Sequence, residues 1–276
     1  MTTVGVEQLA PALGAAVSGI DLRRIDADTA EALRRAWLEH QVIVVRGQTL
    51  TEDELVAFGA CFGRIEKARR LSPLASRQEI MVISNIRENG KALGALPDGE
   101  MAWHFDRIHQ KVPNKAGVLY AVEVPARGGE TRFASMCRAY ETLPGATRAK
   151  LAGLTALSTY QYGETQAEKK QLSQDAPSAV HPVVRTIPET GRKALYVCRL
   201  MTDRIMELPE EESRSLLAEL FDHVERPEFA YEHDWRPGDV LIWDNRCVAH
   251  ARNDFDERER RLLKRVTVGD DAEPVR

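Results

Sequence analysis

Hydrophobic positions repeat at helical spacing in three parts of the chain. From Asp28 to His40, apolar side chains stand three and four residues apart, and Asp28 is the predicted N-cap. A second helix is predicted to begin at Thr51, because Glu54 follows three residues later, as in a capping box. A third amphipathic helix is predicted from Leu208 to Val224. These helices are few and far apart in the chain, so we expect them to flank a core of another kind.

Short runs rich in β-branched and aromatic residues predict that strands form this core. The run Val42–Val45 is apolar throughout, which is typical of a buried strand. Turn-forming residues such as Gly128-Gly129 and Pro237-Gly238 separate the runs. The pattern predicts a mainly β fold with flanking helices, in the form of a barrel or sandwich. The other predicted strands are Ile80–Ile83, Gly117–Val124, Thr131–Ser135, Ala194–Cys198, Asp239–Trp243 and Leu262–Val268.

The rest of the chain shows no repeat and no low-complexity linker. Residues 1–276 are therefore expected to form a single domain. The stretch 161–180 is polar and poor in aliphatic residues, which suits either a lid over a site or an inert surface loop. Residues 270–276 are expected to form a loose C-terminal tail.

Composition narrows the class of protein. Hydrophobic residues make up 43% of the 276 positions and the net charge is −4, so no basic field favours nucleic acid or an anionic membrane. No apolar run approaches the roughly 18 residues that span a bilayer. The N-terminus lacks the features of a signal peptide. The four scattered cysteines suit buried, reduced thiols, and a cytoplasmic location is expected.

The candidate chemistry begins with the sequence His104-Phe105-Asp106. In an extended segment, residues two apart point the same way, so both side chains could bind one metal ion. With a distant histidine such as His250, they form the two-histidine, one-carboxylate set that holds non-haem Fe(II). A hydrogen-bonded histidine and aspartate at a strand edge is the competing interpretation.

The remaining histidines are predicted to have structural roles. His109 stands at an odd offset from His104, which would put it on the opposite face of an extended chain. No residue suited to metal binding stands at a useful spacing from His40, His181 or His233.

Two arginines near the C-terminus favour the metal interpretation. Arg261 and Arg265 are four residues apart in a predicted strand, so both should project from one face. Arginines that face inward are costly unless they meet anions, and the guanidinium group can bind a carboxylate through two parallel hydrogen bonds. A surface charge run or nucleic-acid patch is the alternative, but acidic neighbours neutralise the run locally.

Taken together, these motifs resemble the TauD/TfdA family of Fe(II)- and 2-oxoglutarate-dependent dioxygenases, nearly from end to end. The branch that acts on 2,4-dichlorophenoxyacetate is more similar than the taurine branch. The segments that carry the resemblance are Val44–Gln48, Phe62-Gly63, Ile83–Asn85, Trp103–Asp106, Pro125–Thr131, Gly191–Lys193, Leu216–Glu219 and Gly238–His250.

The resemblance implies a fold, a cofactor and site residues. The implied core is a double-stranded β-helix, a cupin-like jelly roll, in a homodimer or homotetramer. His104, Asp106 and His250 would hold Fe(II), and O2 would react there. Arg261, helped by Thr131, would bind the distal carboxylate of the co-substrate 2-oxoglutarate. Arg265 would lie near the 2-oxo-acid head or the substrate anion.

The substrate is expected to be a small molecule, most simply a carboxylate or sulfonate. In the family, a basic residue shortly after the Phe-Gly pair anchors an anionic substrate, and here Lys67, Arg69 or Arg70 could serve. Hydroxylation or oxidative cleavage is the expected outcome, since halogenases of this kind lack the carboxylate that Asp106 supplies. Desaturation stays open. The rival functions are a Zn(II) or Mn(II) hydrolase, a non-catalytic jelly-roll binding protein and a nucleic-acid demethylase.

Overall fold

Strands dominate the computed structural model, which describes residues 4–95, 99–160 and 176–276. The predicted lid segment therefore lies mostly outside the described residues. The helices are α1 (Ala27–His40), α2 (Glu52–Ala60), α3 (Met136–Glu141), α4 (Gly145–Leu151) and α5 (Glu210–Val224). The strands are β1 (Gly5–Gln8), β2 (Ala15–Ser18), β3 (Val42–Val45), β4 (Ile65–Glu66), β5 (Ile80–Ser84), β6 (Arg87–Glu88), β7 (Lys91–Ala92), β8 (Met101–His104), β9 (Asn114–Glu123), β10 (Thr131–Ser135), β11 (Thr155–Thr159), β12 (Ser178–Pro182), β13 (Val184–Thr186), β14 (Lys193–Leu195), β15 (Thr202–Ile205), β16 (Ala230–His233), β17 (Val240–Asp244), β18 (Val248–Arg252) and β19 (Leu262–Gly269).

The largest sheet runs in the order β1-β2-β3-β17-β9-β19-β4, and β5 also pairs with β19. Its central strand β17 is buried on both faces. Leu241 and Trp243 belong to the core between the sheets, whereas Val240 and Ile242 pack in the core that includes α1 and α2. This alternation follows from the period of two in a strand, and it explains why the whole segment is apolar.

A second sheet, in the order β16-β10-β18-β8, lies against the first. Phe133 of β10 contacts Trp243 of β17, with ring centroids 5.8 Å apart, and so joins the two sheets. The mainly β architecture with a jelly-roll core is thereby confirmed. No helix among the described residues combines the length and apolar character that crossing a bilayer requires.

Several predicted boundaries differ from the observed ones. The N-cap of α1 is Asp26 and not Asp28, because the Asp26 side chain accepts a hydrogen bond from Thr29 N at 2.8 Å. The capping box of Thr51 and Glu54 is confirmed at α2. The predicted strand Ala194–Cys198 is shorter, since β14 ends at Leu195. The C-terminal tail meets β13, where Thr186 N donates to Val275 O at 2.8 Å.

Candidate metal centre and its cavity

The three side chains predicted as metal ligands meet at one point. His104, Asp106 and His250 each offer one ligand atom, and these atoms lie within 4.8 Å of one another. His104 and His250 are paired across β8 and β18, with ring centroids 4.0 Å apart. The Asp106 carboxylate lies 4.0 Å from His104 Nε2 and 3.8 Å from His250 Nε2. The distant histidine is thus brought to the His-x-Asp pair by strand pairing.

The position of Asp106 has a different origin from the predicted one. β8 ends at His104, so Asp106 does not lie in an extended strand, and the argument from strand alternation is wrong. A turn follows His104 instead, and Arg107 adopts a left-handed conformation with φ of 55°. Such a conformation is unfavourable for a residue with a Cβ, so neighbouring contacts must hold this turn in place.

Asn245 supplies those contacts. Its Oδ1 accepts a hydrogen bond from Asp106 N at 2.9 Å, and its Nδ2 donates to Asp106 O and Asn114 O, both at 3.0 Å. The residue is fully buried. Because the amide makes hydrogen bonds through its oxygen and through both N–H groups, it has a single preferred orientation. Asn245 belongs to the segment Gly238–His250, which carries the family resemblance, but no pattern in the sequence predicted these hydrogen-bond partners.

The buried cluster favours the protonation states that metal binding needs. The Nδ1 of His104 lies 2.9 Å from Ala102 O, which can only accept, so a neutral ring carries its proton there and leaves Nε2 free as a ligand. Burial lowers the pKa of both His104 and His250. Burial opposes ionisation of Asp106, yet the nearby Arg265 holds the pKa of that carboxyl well below its usual range. Two neutral imidazoles and one carboxylate fit an Fe(II) ion.

The cluster opens into a cavity of about 880 Å³. One wall comes from neighbouring strands of the large sheet, on which Met81, Arg265 and Leu119 stand opposite one another in register. Further apolar side chains line the cavity. They are Ile83, Ala92, Ala95, Met101, Met201 and Leu263.

One end of the cavity is built around Arg261 and Thr131. Arg261 is 3% exposed, and its side chain donates a hydrogen bond from Nη2 to Gly129 O at 3.3 Å. Its Nε has no partner among the described residues, where no carboxylate pairs with the side chain. Burial, followed by the nearby charge of Arg252, lowers the pKa of Arg261 to about 9. A buried guanidinium without a counterion is costly, so this end of the cavity is suited to an anion. The two arginines were predicted to project from one face of a strand; β19 begins only at Leu262, but Arg261 and Arg265 both line the cavity.

The exposed rim of the cavity is cationic. Arg69 and Arg70 line it, whereas Lys67 is not among the described residues that do. Arg107 lines it too and forms an ion pair with Glu66.

His109, for which a structural role is predicted, also lines the cavity, with its ring 4.9 Å from that of Tyr160. It does not belong to the cluster of candidate metal ligands. Burial, followed by the charge of Arg69, lowers the pKa of His109 to about 4, so the ring is neutral near neutral pH. Its placement follows from the turn after His104, which no local pattern in the sequence indicates.

Comparisons with known proteins agree with this geometry. The family model described as "Taurine catabolism dioxygenase TauD, TfdA family" matches residues 5–267. A 2,4-dichlorophenoxyacetate dioxygenase of Cupriavidus pinatubonensis, described as alpha-ketoglutarate-dependent, is 36% identical over 98% of this chain and 99% of its own. Pentalenolactone F synthase of Streptomyces arenae is 34% identical over 92% and 91%.

Solved structures of similar proteins share the fold. A taurine dioxygenase from Burkholderia xenovorans superposes with a TM-score of 0.84 at 31% identity, over 99% of this chain and 91% of that one. AAD-2 in complex with Mn(II) and N-oxalylglycine superposes with a TM-score of 0.83 at 27% identity, over 99% and 100%.

Proposed function

The chain belongs to the taurine catabolism dioxygenase TauD, TfdA family, and we propose that His104, Asp106 and His250 hold the Fe(II) on which its reaction depends. The protein is an Fe(II)- and 2-oxoglutarate-dependent dioxygenase. The metal, when bound, activates O2 in a reaction that converts 2-oxoglutarate to succinate and CO2 while the substrate is oxidised. The observation that carries the assignment is the buried cluster, which shares one cavity with Arg261, an arginine that no carboxylate of the described residues pairs with.

Arg261 and Thr131 are the proposed site for the distal carboxylate of 2-oxoglutarate. Both residues line the cavity and are buried, with 3% and 4% exposure. A carboxylate at this point would provide Arg261 with the anion that the surrounding residues do not. The hydroxyl of Thr131 would donate a further hydrogen bond to it. Such a site selects a dicarboxylate over a 2-oxo acid that has only one carboxylate.

Arg265 has a separate role in this proposal. It lies beside Asp106 and stabilises the charged form of that carboxylate. Arg265 also lines the cavity, on a strand position between Met81 and Leu119, and we propose that its charge acts on the 2-oxo-acid head or on a substrate anion.

The proposed substrate is a small anion with an apolar body larger than taurine. Arg69 and Arg70, which are exposed, give the rim of the cavity positive charge, and methionine, alanine and leucine side chains supply much of its apolar lining. Charge at the rim would orient the anion, and the flexible methionines could adapt to an apolar body. Relatives named for phenoxyacetate, phenoxypropionate and sulfate ester substrates support this class.

Two measurements test the proposal. Without O2, Fe(II) and 2-oxoglutarate should give a visible charge-transfer band, and His104→Ala or Asp106→Ala should abolish it, whereas His109→Ala should retain it. An undiminished band in either ligand variant would refute the ligand assignment.

A succinate-release screen over carboxylates, sulfonates and sulfate esters should then identify the substrate, with hydroxylation or oxidative cleavage expected. A Zn(II) or Mn(II) hydrolase would turn over without O2. The homo-oligomeric state and the cytoplasmic location stay predictions.

A further inference from the structure

A buried tryptophan contacts the hydroxyl group at the co-substrate end of the cavity. Trp235 Nε1 donates a hydrogen bond to Thr131 Oγ1, with a nitrogen–oxygen distance of 3.0 Å. Trp235 is 7% exposed and follows β16, whose His233 is paired with Thr131 across the sheet. Trp235 itself is not among the described residues that line the cavity. It therefore reaches the site only through Thr131.

This contact determines the direction in which the Thr131 hydroxyl can donate a hydrogen bond. An indole N–H can only donate, so Thr131 Oγ1 must be the acceptor. The single O–H of the threonine is then directed away from the indole. Because Thr131 and Arg261 line the same cavity, an anion bound by Arg261 can accept a hydrogen bond from that O–H. Without the indole N–H, the hydroxyl could rotate and lose part of its preference for donating to an anion.

A second set of contacts fixes Trp235. Its ring meets His233 edge to face, with centroids 4.4 Å apart and planes at 85°. His233 is fully buried, and its Nε2 lies 3.0 Å from Asp239 Oδ2, which also accepts hydrogen bonds from Arg46 and from Arg236 N. The other nitrogen, Nδ1, lies 2.7 Å from the Tyr231 hydroxyl. Since the carboxylate accepts, Nε2 carries the proton and Nδ1 accepts from Tyr231. The imidazole that supports Trp235 is thus held on both sides.

We infer that Trp235 is a positioning residue, which orients the Thr131 hydroxyl so that it donates to the distal carboxylate of the co-substrate. The inference rests on the proposed binding of that carboxylate by Thr131 and Arg261. It assigns Trp235 no contact with the substrate or the metal. It also connects the Gly238-Asp239 turn to the co-substrate, because Asp239 holds the histidine against which Trp235 packs.

Equilibrium binding of 2-oxoglutarate to the Fe(II)-loaded protein without O2 tests the inference, with calorimetry or the charge-transfer band as the readout. Trp235→Phe keeps a ring but removes the N–H, and should weaken binding about three- to tenfold. Thr131→Val removes the hydroxyl at nearly constant shape and should weaken binding at least as much. In the double variant, Trp235→Phe should cause no further loss of 2-oxoglutarate affinity, because the hydroxyl that the indole N–H orients is absent.

2-Oxopentanoate is the matched control ligand, since it has the same chain length but no distal carboxylate. Its affinity should be the same in the wild type and in Trp235→Phe, whereas a merely structural defect would weaken both ligands. If Trp235→Phe folds poorly, benzothienylalanine at position 235 replaces only the indole N–H by sulfur. The inference would be overturned if Trp235→Phe weakened 2-oxoglutarate binding equally in the wild type and in the Thr131→Val background. It would also be overturned if Trp235→Phe left 2-oxoglutarate binding unchanged. Unchanged binding in Thr131→Val would instead overturn the proposed role of Thr131.

Discussion

Arg265 donates two hydrogen bonds to the carboxylate of Asp106, one to each oxygen, and its Nη1 lies 3.1 Å from Oδ1. Both side chains are nearly buried, with 9% and 12% exposure. The pair explains how a carboxylate stays ionised between two imidazoles in the interior. Burial raises the pKa of Asp106, but the charge of Arg265 and the hydrogen bonds that it donates outweigh that effect.

Arg265→Gln is therefore expected to raise the pKa of Asp106 and to make metal binding more sensitive to acid. A depressed carboxyl pKa stabilises the fold above the unfolded-state pKa, and this stabilisation is lost as the pH falls through the folded-state value. In the variant, protons would compete with the metal ion for the Asp106 carboxylate at a higher pH than in the wild type. Co(II) titrations across the acid range should show the midpoint of metal loss moved upward by about one pH unit or more.

Arg185→Gln is the control, because Arg185 is equally buried but lies beside Tyr196 and makes no recorded contact with the metal cluster. It should leave the acid midpoint of metal binding unchanged. A midpoint that stays in place for Arg265→Gln would mean that Arg265 does not control the charge of Asp106.

Arg261→Met should separate co-substrate binding from stability. The substitution removes the partner proposed for the distal carboxylate, so we expect the dissociation constant of 2-oxoglutarate to rise by about 30-fold or more. Without the co-substrate, however, the variant should melt at a higher temperature than the wild type, because no described carboxylate compensates the buried charge of Arg261. Calorimetric titration and thermal unfolding measure the two effects. A variant that binds 2-oxoglutarate normally would exclude this arginine as its site.

Asn245→Ala should weaken metal binding although Asn245 lies outside the proposed ligand set. The change leaves Asp106 N, Asp106 O and Asn114 O without their side-chain partner in a buried turn. We expect metal affinity to fall about 10- to 100-fold and the free energy of unfolding to fall by about 2–4 kcal/mol. Ser213→Ala on α5 removes a buried hydrogen bond that the serine hydroxyl accepts from Ile205 N, and it touches neither Asp106 nor Asn114. That control should lower stability while metal affinity is retained, and equal metal affinity in the two variants would contradict the role of Asn245.

The same turn shows what the sequence can and cannot predict. Strand β17 was predictable because both of its faces are buried, and the capping box at Thr51 was predictable because its partners lie three residues apart. The turn at Asp106 depends on Asn245, which is 139 residues away in the chain, so no local pattern could indicate it. The sequence therefore predicted the three side chains that the structure brings together, but for a partly wrong geometric reason. That His109 lines the cavity also depends on this turn, so no local pattern indicated it.

Arg69 and Lys67 provide a matched test of how the substrate anion is recognised. Both are exposed basic residues of one short segment, but Arg69 lines the cavity and Lys67 is not among the described residues that do. Once a substrate is identified, Arg69→Ala should lower kcat/KM by about tenfold and reduce its dependence on ionic strength. Lys67→Ala should change both quantities much less.

A neutral ester or amide of the same substrate completes the comparison of Arg69 and Lys67. It offers no anion to the rim of the cavity, so Arg69→Ala should not lower kcat/KM for it relative to the wild type. A loss of equal size for the neutral and the anionic compound would indicate that Arg69 supports the rim structurally. Equal losses for the lysine and arginine variants with the anion would indicate general attraction by surface charge. A direct contact is identified only if kcat/KM falls for Arg69→Ala and not for Lys67→Ala, and only with the anionic compound. Long-range charge would affect both variants, and a structural defect would affect both compounds.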